Sequence, residues 1–448
     1  MWAYRLLRAL LRIAVRVFYR QVEVVGLENV PAEGPVIFAG NHPNSLIDPM
    51  LLVATCGRIV QFAAKDTLFE SRLLRVFLNA LGAVPIRRKM DHAGESLDNS
   101  AAFDALFGVL EEGRAVGIFP EGISHDEAQL ARLKTGAARI ALGSKGRRPE
   151  APLRVVPCGL TYIHRRHFRS RVLVQYGPPI DVPVGGVAPE AVQALTEEIE
   201  RGLRALTINA PDWDTLRLLD GVRRLYQPPR IPLAHRVELA RRFATVYEKV
   251  KGEPEIAAIA ARVQRYLDRL EDAGFTDHEL ALPIRPLQLF ERTARELVWC
   301  CVWLPLAAPG VLIHAPVGIL VGVGGHYLTP RKDVLATTKL MLGILLVVAS
   351  HAAMLAAAFW WVGWEAALAV FVLLPLSGYA LIRVLERAAS LRRVLTRVAR
   401  AFVLGRERQE LIAERAALEA EIVRAVDRFR PPEMELLYPH DAPPGGTS

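Results

Sequence analysis

The sequence has little cysteine, with four in 448 residues. None of Cys56, Cys158, Cys300 and Cys301 forms a CxxC pair, which argues against a zinc ribbon, a thioredoxin-type motif or a disulfide framework. No repeat recurs at solenoid periods. No stripe alternates aromatic and basic residues, which argues against a nucleic-acid partner although the formal charge is +9 and the pI about 9.6. No uninterrupted apolar stretch opens the chain, as a signal peptide would require: Arg5, Arg8, Arg12, Arg16 and Arg20 break it.

What the sequence does have is apolar residues. They make up 52% of the chain, and the mean hydropathy is +0.21. Three long apolar runs near the C-terminal end carry much of this. Leu297 to Val323 contains Pro305, Pro309, Pro316 and His314. Leu340 to Trp361 is long and uncharged and Ala366 to Ile382 is a third run, and each approaches or exceeds the roughly 18–20 residues a bilayer needs. Arginines and lysines flank the first run on both sides, and arginines follow the third. The turn between the second and third, WVGWEAA, has none. The positive-inside rule then predicts a re-entrant or interfacial hairpin at 297–323 and two spans at 340–361 and 366–382. Both water-facing parts would be cytoplasmic, making this a multi-pass membrane protein with its soluble domain on the cytoplasmic face.

Four other segments complete the expected organisation. Residues 1–20 predict an amphipathic helix at the membrane surface, with the arginines on lipid phosphates; docking on its own domain is the other reading. Residues 21–205 alternate strand and helix patterns, which predicts an α/β domain with a mixed central sheet flanked by helices. Residues 206–293 read as a charged helical extension and precede the membrane region at 294–400. Residues 401–448 read as a polar helix, solvated or paired, followed by a disordered tail.

The chemistry-bearing residues fall at strand ends and loops of the α/β part. In AGNHPNSLIDPMLL, Asp48 and Pro49 suit the N-cap and first position of a helix. That leaves His42 and the polar Asn41 and Asn44 unexplained unless the loop is functional. GAVPIRRK brings Arg87 and Arg88 together after a short strand, a pattern that suits phosphate. GIFPEGISHD ends a strand with Phe119 and Pro120 and presents Glu121 and Gly122 in a turn. In RVVPCGLTY a proline interrupts a buried strand, which predicts an edge or a bulge at Pro157.

Together these four blocks resemble the glycerolipid acyltransferase family. The family pattern N-H-x4-D is similar to Asn41-His42…Asp48, and G-x-x-[FP]-[IV]-x-R to Gly82…Arg88. F-P-E-G is similar to Phe119-Pro120-Glu121-Gly122, and V-[IVL]-P-[VIC] to Val155-Val156-Pro157-Cys158. The resemblance covers roughly Val22 to Asp181. It departs in two places. His42 and Asp48 stand one residue further apart than usual, a rotation of about 100° on a regular helix unless a turn absorbs it. The third block continues Ile-Ser-His-Asp where most members read T-R-S. Both departures resemble the fungal-type glycerol-3-phosphate and dihydroxyacetone-phosphate acyltransferases.

The resemblance implies an O-acyltransferase of phospholipid synthesis. It would move a fatty acyl group from acyl-CoA or acyl-carrier protein to a glycerol-phosphate hydroxyl, with glycerol 3-phosphate favoured over its monoacyl product. No cofactor beyond that co-substrate and no metal is expected; the partners are membrane lipids, donor and acceptor. His42 and Asp48 would be catalytic. Arg87, Arg88, Glu121 and Gly122 would bind the acceptor, with Ser124 and His125 as further candidates. The competing class is a non-catalytic membrane lipid-binding protein that keeps the acyltransferase shell.

Overall fold

The computed structural model describes residues 2–88, 91, 98–229, 231–281, 285–329 and 331–438. The chain divides into two compact units. The first comprises Met1–Leu216, Pro232–Ala244 and Pro330–Thr337; the second comprises Arg217–Ile231, Thr245–Thr329 and Thr338–Ser448.

The first unit is built on a mixed eight-stranded sheet. Its strands are β1 (Tyr19–Val25), β2 (Val36–Gly40), β3 (Val60–Lys65), β4 (Val84–Ile86), β5 (Ala115–Ile118), β6 (Arg154–Tyr162), β7 (Ser170–Tyr176) and β8 (Ile180–Asp181). The order is β1-β7-β6-β2-β5-β3-β4, with β8 against β6. All pairs are parallel except β6–β7 and β6–β8. Its helices are α1 (Trp2–Phe18), α2 (Ile47–Thr55), α3 (Arg72–Ala80), α4 (Ser100–Glu111), α5 (Gly136–Arg147) and α6 (Pro189–Arg204). One core joins Ile37, Ala39, Val116 and Val155 of the sheet to Leu106, Ile140 and Ile199 of α4, α5 and α6. Alternation along β2 turns Phe38 and Gly40 to the opposite face. There, a Cβ on Gly40 would meet the Phe119 ring at 2.9 Å and Leu52 of α2 at 3.7 Å.

Pro157 is not at an edge. It lies in β6, a central strand, opposite Ala39 of β2. The Cys158 carbonyl accepts from Asn41 N–H on the β2 side at 3.3 Å. Pro157 therefore faces the other flank, where its carbonyl accepts from Gly177 N–H at 2.8 Å. On that flank β8 pairs only Arg154 and Val155, and pairing with β7 begins at Cys158, opposite Tyr176. The missing N–H falls in the gap between the two partners, so no ladder bond is lost.

α1 docks on its own domain. Tyr4, Leu11, Val15 and Phe18 are buried. Arg8 and Arg12 donate to the carbonyls of Gly57 (3.0 Å) and Ala54 (2.9 Å), so two members of the basic stripe hold the helix in place. Leu6, Leu10, Ile13 and Val17 form a separate stripe, 43–61% exposed.

The remaining helices are α7 (Trp213–Tyr226), α8 (Leu233–Val250), α9 (Pro254–Asp272), α10 (Asp277–Ala281), α11 (Pro286–Tyr327), α12 (Leu335–Trp361), α13 (Trp364–Val403) and α14 (Gly405–Phe429). In the second unit α14 is paired, not solvated. It buries Leu411, Leu418 and Ile422, and its Glu414 and Arg415 bond Arg269 of α9 (2.6 Å) and Asp277 of α10 (3.1 Å). Residues 439–448, at the end of the expected disordered tail, lie outside the described residues.

α11, α12 and α13 are each long and apolar enough to cross a membrane. α11 is one helix of 42 residues with Pro305, Pro309 and Pro316 inside it. Its first part runs antiparallel to α13: Glu296 meets Arg387 at 2.8 Å, Trp303 stacks edgewise on Tyr379, and Ala307 O accepts from Ser377. Its last part runs antiparallel to α12. There His314 packs on His351, and Gly325 abuts Lys339.

Candidate active site

The C-terminal ends of β2, β4 and β5 carry the site, as expected for parallel strands. After β2 the chain turns sharply. Ser45 takes a left-handed φ of 49°, rare for a residue with a Cβ. That turn absorbs the extra residue between His42 and Asp48. The helix also begins earlier than the sequence suggests: Ile47 opens α2 and Asp48 lies in its first turn, so Asp48 is not the N-cap. His42 and Asp48 therefore meet, with Nδ1 2.8 Å from Oδ2.

Asp48 is fully buried. Its carboxylate also accepts the Asn44 N–H at 2.7 Å and the Tyr162 hydroxyl at 2.5 Å. A buried carboxylate is tolerable only with such partners. The imidazole stacks on Phe119 with ring centres 4.2 Å apart. When Nδ1–H donates to Asp48, the ring lone pair lies on Nε2. Asn41 clamps the loop to β6 by exchanging hydrogen bonds with Leu160 at 2.7 and 3.1 Å.

Glu121 ties the β5 loop to the β2 loop. It accepts from His42 N–H at 2.6 Å and Ala131 N–H at 2.9 Å, and it is paired with His125. The Glu121 bond raises the His125 pKa above its ordinary value. Gly122 follows with φ of 73°, and its carbonyl accepts from Arg88 at 2.6 Å. Arg88 also donates to Asp91 at 2.7 Å, while Lys65 pairs with the same carboxylate at 2.8 Å. Arg88 first and then Lys65 hold the Asp91 pKa down to about 2.

The structure thus brings His42, Asp48, Glu121, Gly122, His125 and Arg88 into one connected network. It parts the two arginines: Arg88 turns to Gly122, and Arg87 lies 3.9 Å from Asp66. Ser124 joins the network through the backbone of its loop, while its hydroxyl bonds Asp333.

Residues 21–161 match the acyltransferase family model, a span that holds all four blocks. This chain carries an acyltransferase domain. Residues 218–324 match a second model, the glycerol-3-phosphate acyltransferase 2 C-terminal domain. That match covers most of the helical extension, whose role the sequence does not reveal. Glycerol-3-phosphate O-acyltransferase 2 of Saccharomyces cerevisiae is 27% identical over 77% of this chain and 63% of its own length. Glycerol-3-phosphate O-acyltransferase 1 of the same yeast is 34% identical over 50% of this chain and 31% of its own. A 1-acyl-sn-glycerol-3-phosphate acyltransferase of Borreliella burgdorferi is 28% identical over 31% of this chain and 54% of its own. The chain spans less than two thirds of the length of each.

Two residues of the acyltransferase domain escaped the sequence reading. Tyr162, at the end of β6, completes the Asp48 shell. Lys134, read as helical, precedes α5, and a Cβ on Gly122 would lie 2.7 Å from its Nζ. Two cations therefore flank Gly122. The only sequence signal for Lys134 was a basic residue just before the helix.

Proposed function

We propose that this chain is a membrane-bound O-acyltransferase that esterifies a glycerol phosphate with a fatty acyl group from a thioester donor. One observation supports this most. A buried carboxylate orients His42, and Arg88 and Lys134 flank Gly122 in the loop whose Glu121 accepts from the His42 N–H. The acceptor phosphate would lie on those cations, and its glycerol would reach His42.

In the reaction, Nε2 of His42 takes the proton of the attacking hydroxyl. The alkoxide oxygen bonds to the thioester carbonyl carbon. Asp48 stabilises the imidazolium that results. Collapse of the tetrahedral intermediate breaks the C–S bond, and the imidazolium proton goes to the leaving sulfur. Ester and free thiol are the products, and no enzyme nucleophile is needed because the thioester is already activated.

Both yeast relatives carry glycerol 3-phosphate in their names, which favours that acceptor. The test is a panel of glycerol 3-phosphate, dihydroxyacetone phosphate and 1-acylglycerol 3-phosphate with one labelled acyl-CoA and one acyl-carrier protein. Glycerol 3-phosphate should give the highest kcat/KM. A higher value for the monoacyl acceptor would reassign the substrate, and no product from any acceptor would leave a lipid-binding protein.

The membrane reading proposed is a re-entrant α11, a spanning α12–α13 hairpin with Trp360, Trp361 and Trp364 at the far interface, and a cytoplasmic catalytic domain. The exposed Leu6–Leu10–Ile13–Val17 stripe of α1 would rest on the lipid surface. Reporter fusions should read cytoplasmic at Gly325 and non-cytoplasmic at Gly363. A cytoplasmic signal at Gly363 would overturn this topology.

A further inference from the structure

Pro330–Thr337, which runs from the α11–α12 linker into the first turn of α12, belongs to the first unit, far in sequence from the rest of that unit. Within it, Asp333 is 5% exposed and accepts the hydroxyl of Ser124, itself 9% exposed, at 2.5 Å. Arg331 locks the pair. Its Nη2 donates to the Ser124 carbonyl at 2.7 Å and to Asp333 at 2.8 Å, and its Nε to the other carboxylate oxygen at 3.1 Å. Buried Thr337 donates to the carbonyl of Asn44 at 3.4 Å. One short segment at the junction of two apolar helices therefore grips the β2 and β5 loops of the site.

We propose that Asp333 and Arg331 are positioning residues of the acyltransferase site, acting through Ser124. The inference rests on the function proposed above. Ser124 lies two residues after Gly122, whose carbonyl holds Arg88, and three after Glu121, which holds the His42 N–H. Freeing Ser124 loosens the turn that places Arg88 against the acceptor. A buried carboxylate is costly unless paired, and here the pairing fixes the loop.

The full chain in lipid nanodiscs provides the test. Asp333→Ala should raise the acceptor KM by about tenfold, with the donor KM and kcat changed by less than about threefold. Ser124→Ala should do the same, and the double variant should be no worse than either single one, because residues acting through one contact are not additive. Multiplying effects, or an unchanged acceptor KM, would overturn the proposal. Amide hydrogen exchange over residues 119–127 should quicken in Asp333→Ala whether or not any acceptor is turned over. Unchanged exchange would overturn the positioning role by itself. A wild-type chain inactive on every acceptor would instead remove the proposed function and leave the exchange result standing. If Asp333→Ala does not fold, Asp333→Asn serves. It keeps an acceptor for Ser124 but not the charge for Arg331, and should fall between wild type and Ser124→Ala.

Discussion

Replacing His42 by alanine should lower kcat by about 10²–10⁴-fold, the usual contribution of a positioned general base. The reading is free thiol released from a long-chain acyl-CoA with glycerol 3-phosphate, checked against radiolabelled product. Apparent KM values for both substrates should move by less than about fivefold, because the lost interaction forms only as the proton transfers. The chief objection is structural. His42 stacks on Phe119 and fills one of three positions around a buried carboxylate. Losing one hydrogen bond to such a group costs about 1–3 kcal/mol of stability. A thermal melt separates the two accounts, since a merely destabilised protein regains its rate per folded molecule. If the folded variant keeps its kcat, the imidazole is not the base and the mechanism above fails.

Much of this site was legible because its signals are local. A strand running into Asn41-His42, a short helix with a proline in its first turn, and a strand running into Phe119-Pro120-Glu121 each announce themselves within ten residues. The meeting of His42 and Asp48 was less legible. Their spacing fits no regular helix, and only the left-handed Ser45 closes the distance. Asp48 misled as an N-cap because aspartate before proline commonly caps a helix. Here a buried hydrogen-bond shell overrides that preference. Pro157 misled for a related reason. Its missing donor depends on which flank it faces, and only the sheet order fixes that. The Ser124–Asp333 bond could not be read at all, because its partners are 209 positions apart and Asp333 lies in no recognisable pattern. Arg87 and Arg88 look equivalent in sequence. Neighbours in an extended chain point to opposite sides, which separates them.

That separation sets the second large effect. Arg88→Ala should raise the KM for glycerol 3-phosphate by roughly 10- to 100-fold, since hydrogen bonds to a charged group contribute about 1.5–3 kcal/mol. The KM for acyl-CoA should stay near wild type. Arg87→Ala, whose side chain turns to Asp66, should shift the acceptor KM far less. Arg88 also holds the Gly122 carbonyl and Asp91, so a purely structural role has to be separated from phosphate binding. Two comparisons do this. Arg88→Lys keeps the charge and loses the planar fork, so it should recover part of the affinity if charge on the acceptor matters. Glycerol, which lacks the phosphate, should be used equally poorly by wild type and Arg88→Ala. The preference for the phosphorylated acceptor should then shrink by the same factor as its KM grows. If both acceptors weaken together, Arg88 serves the Gly122 turn alone, and the phosphate-binding role passes to Lys134.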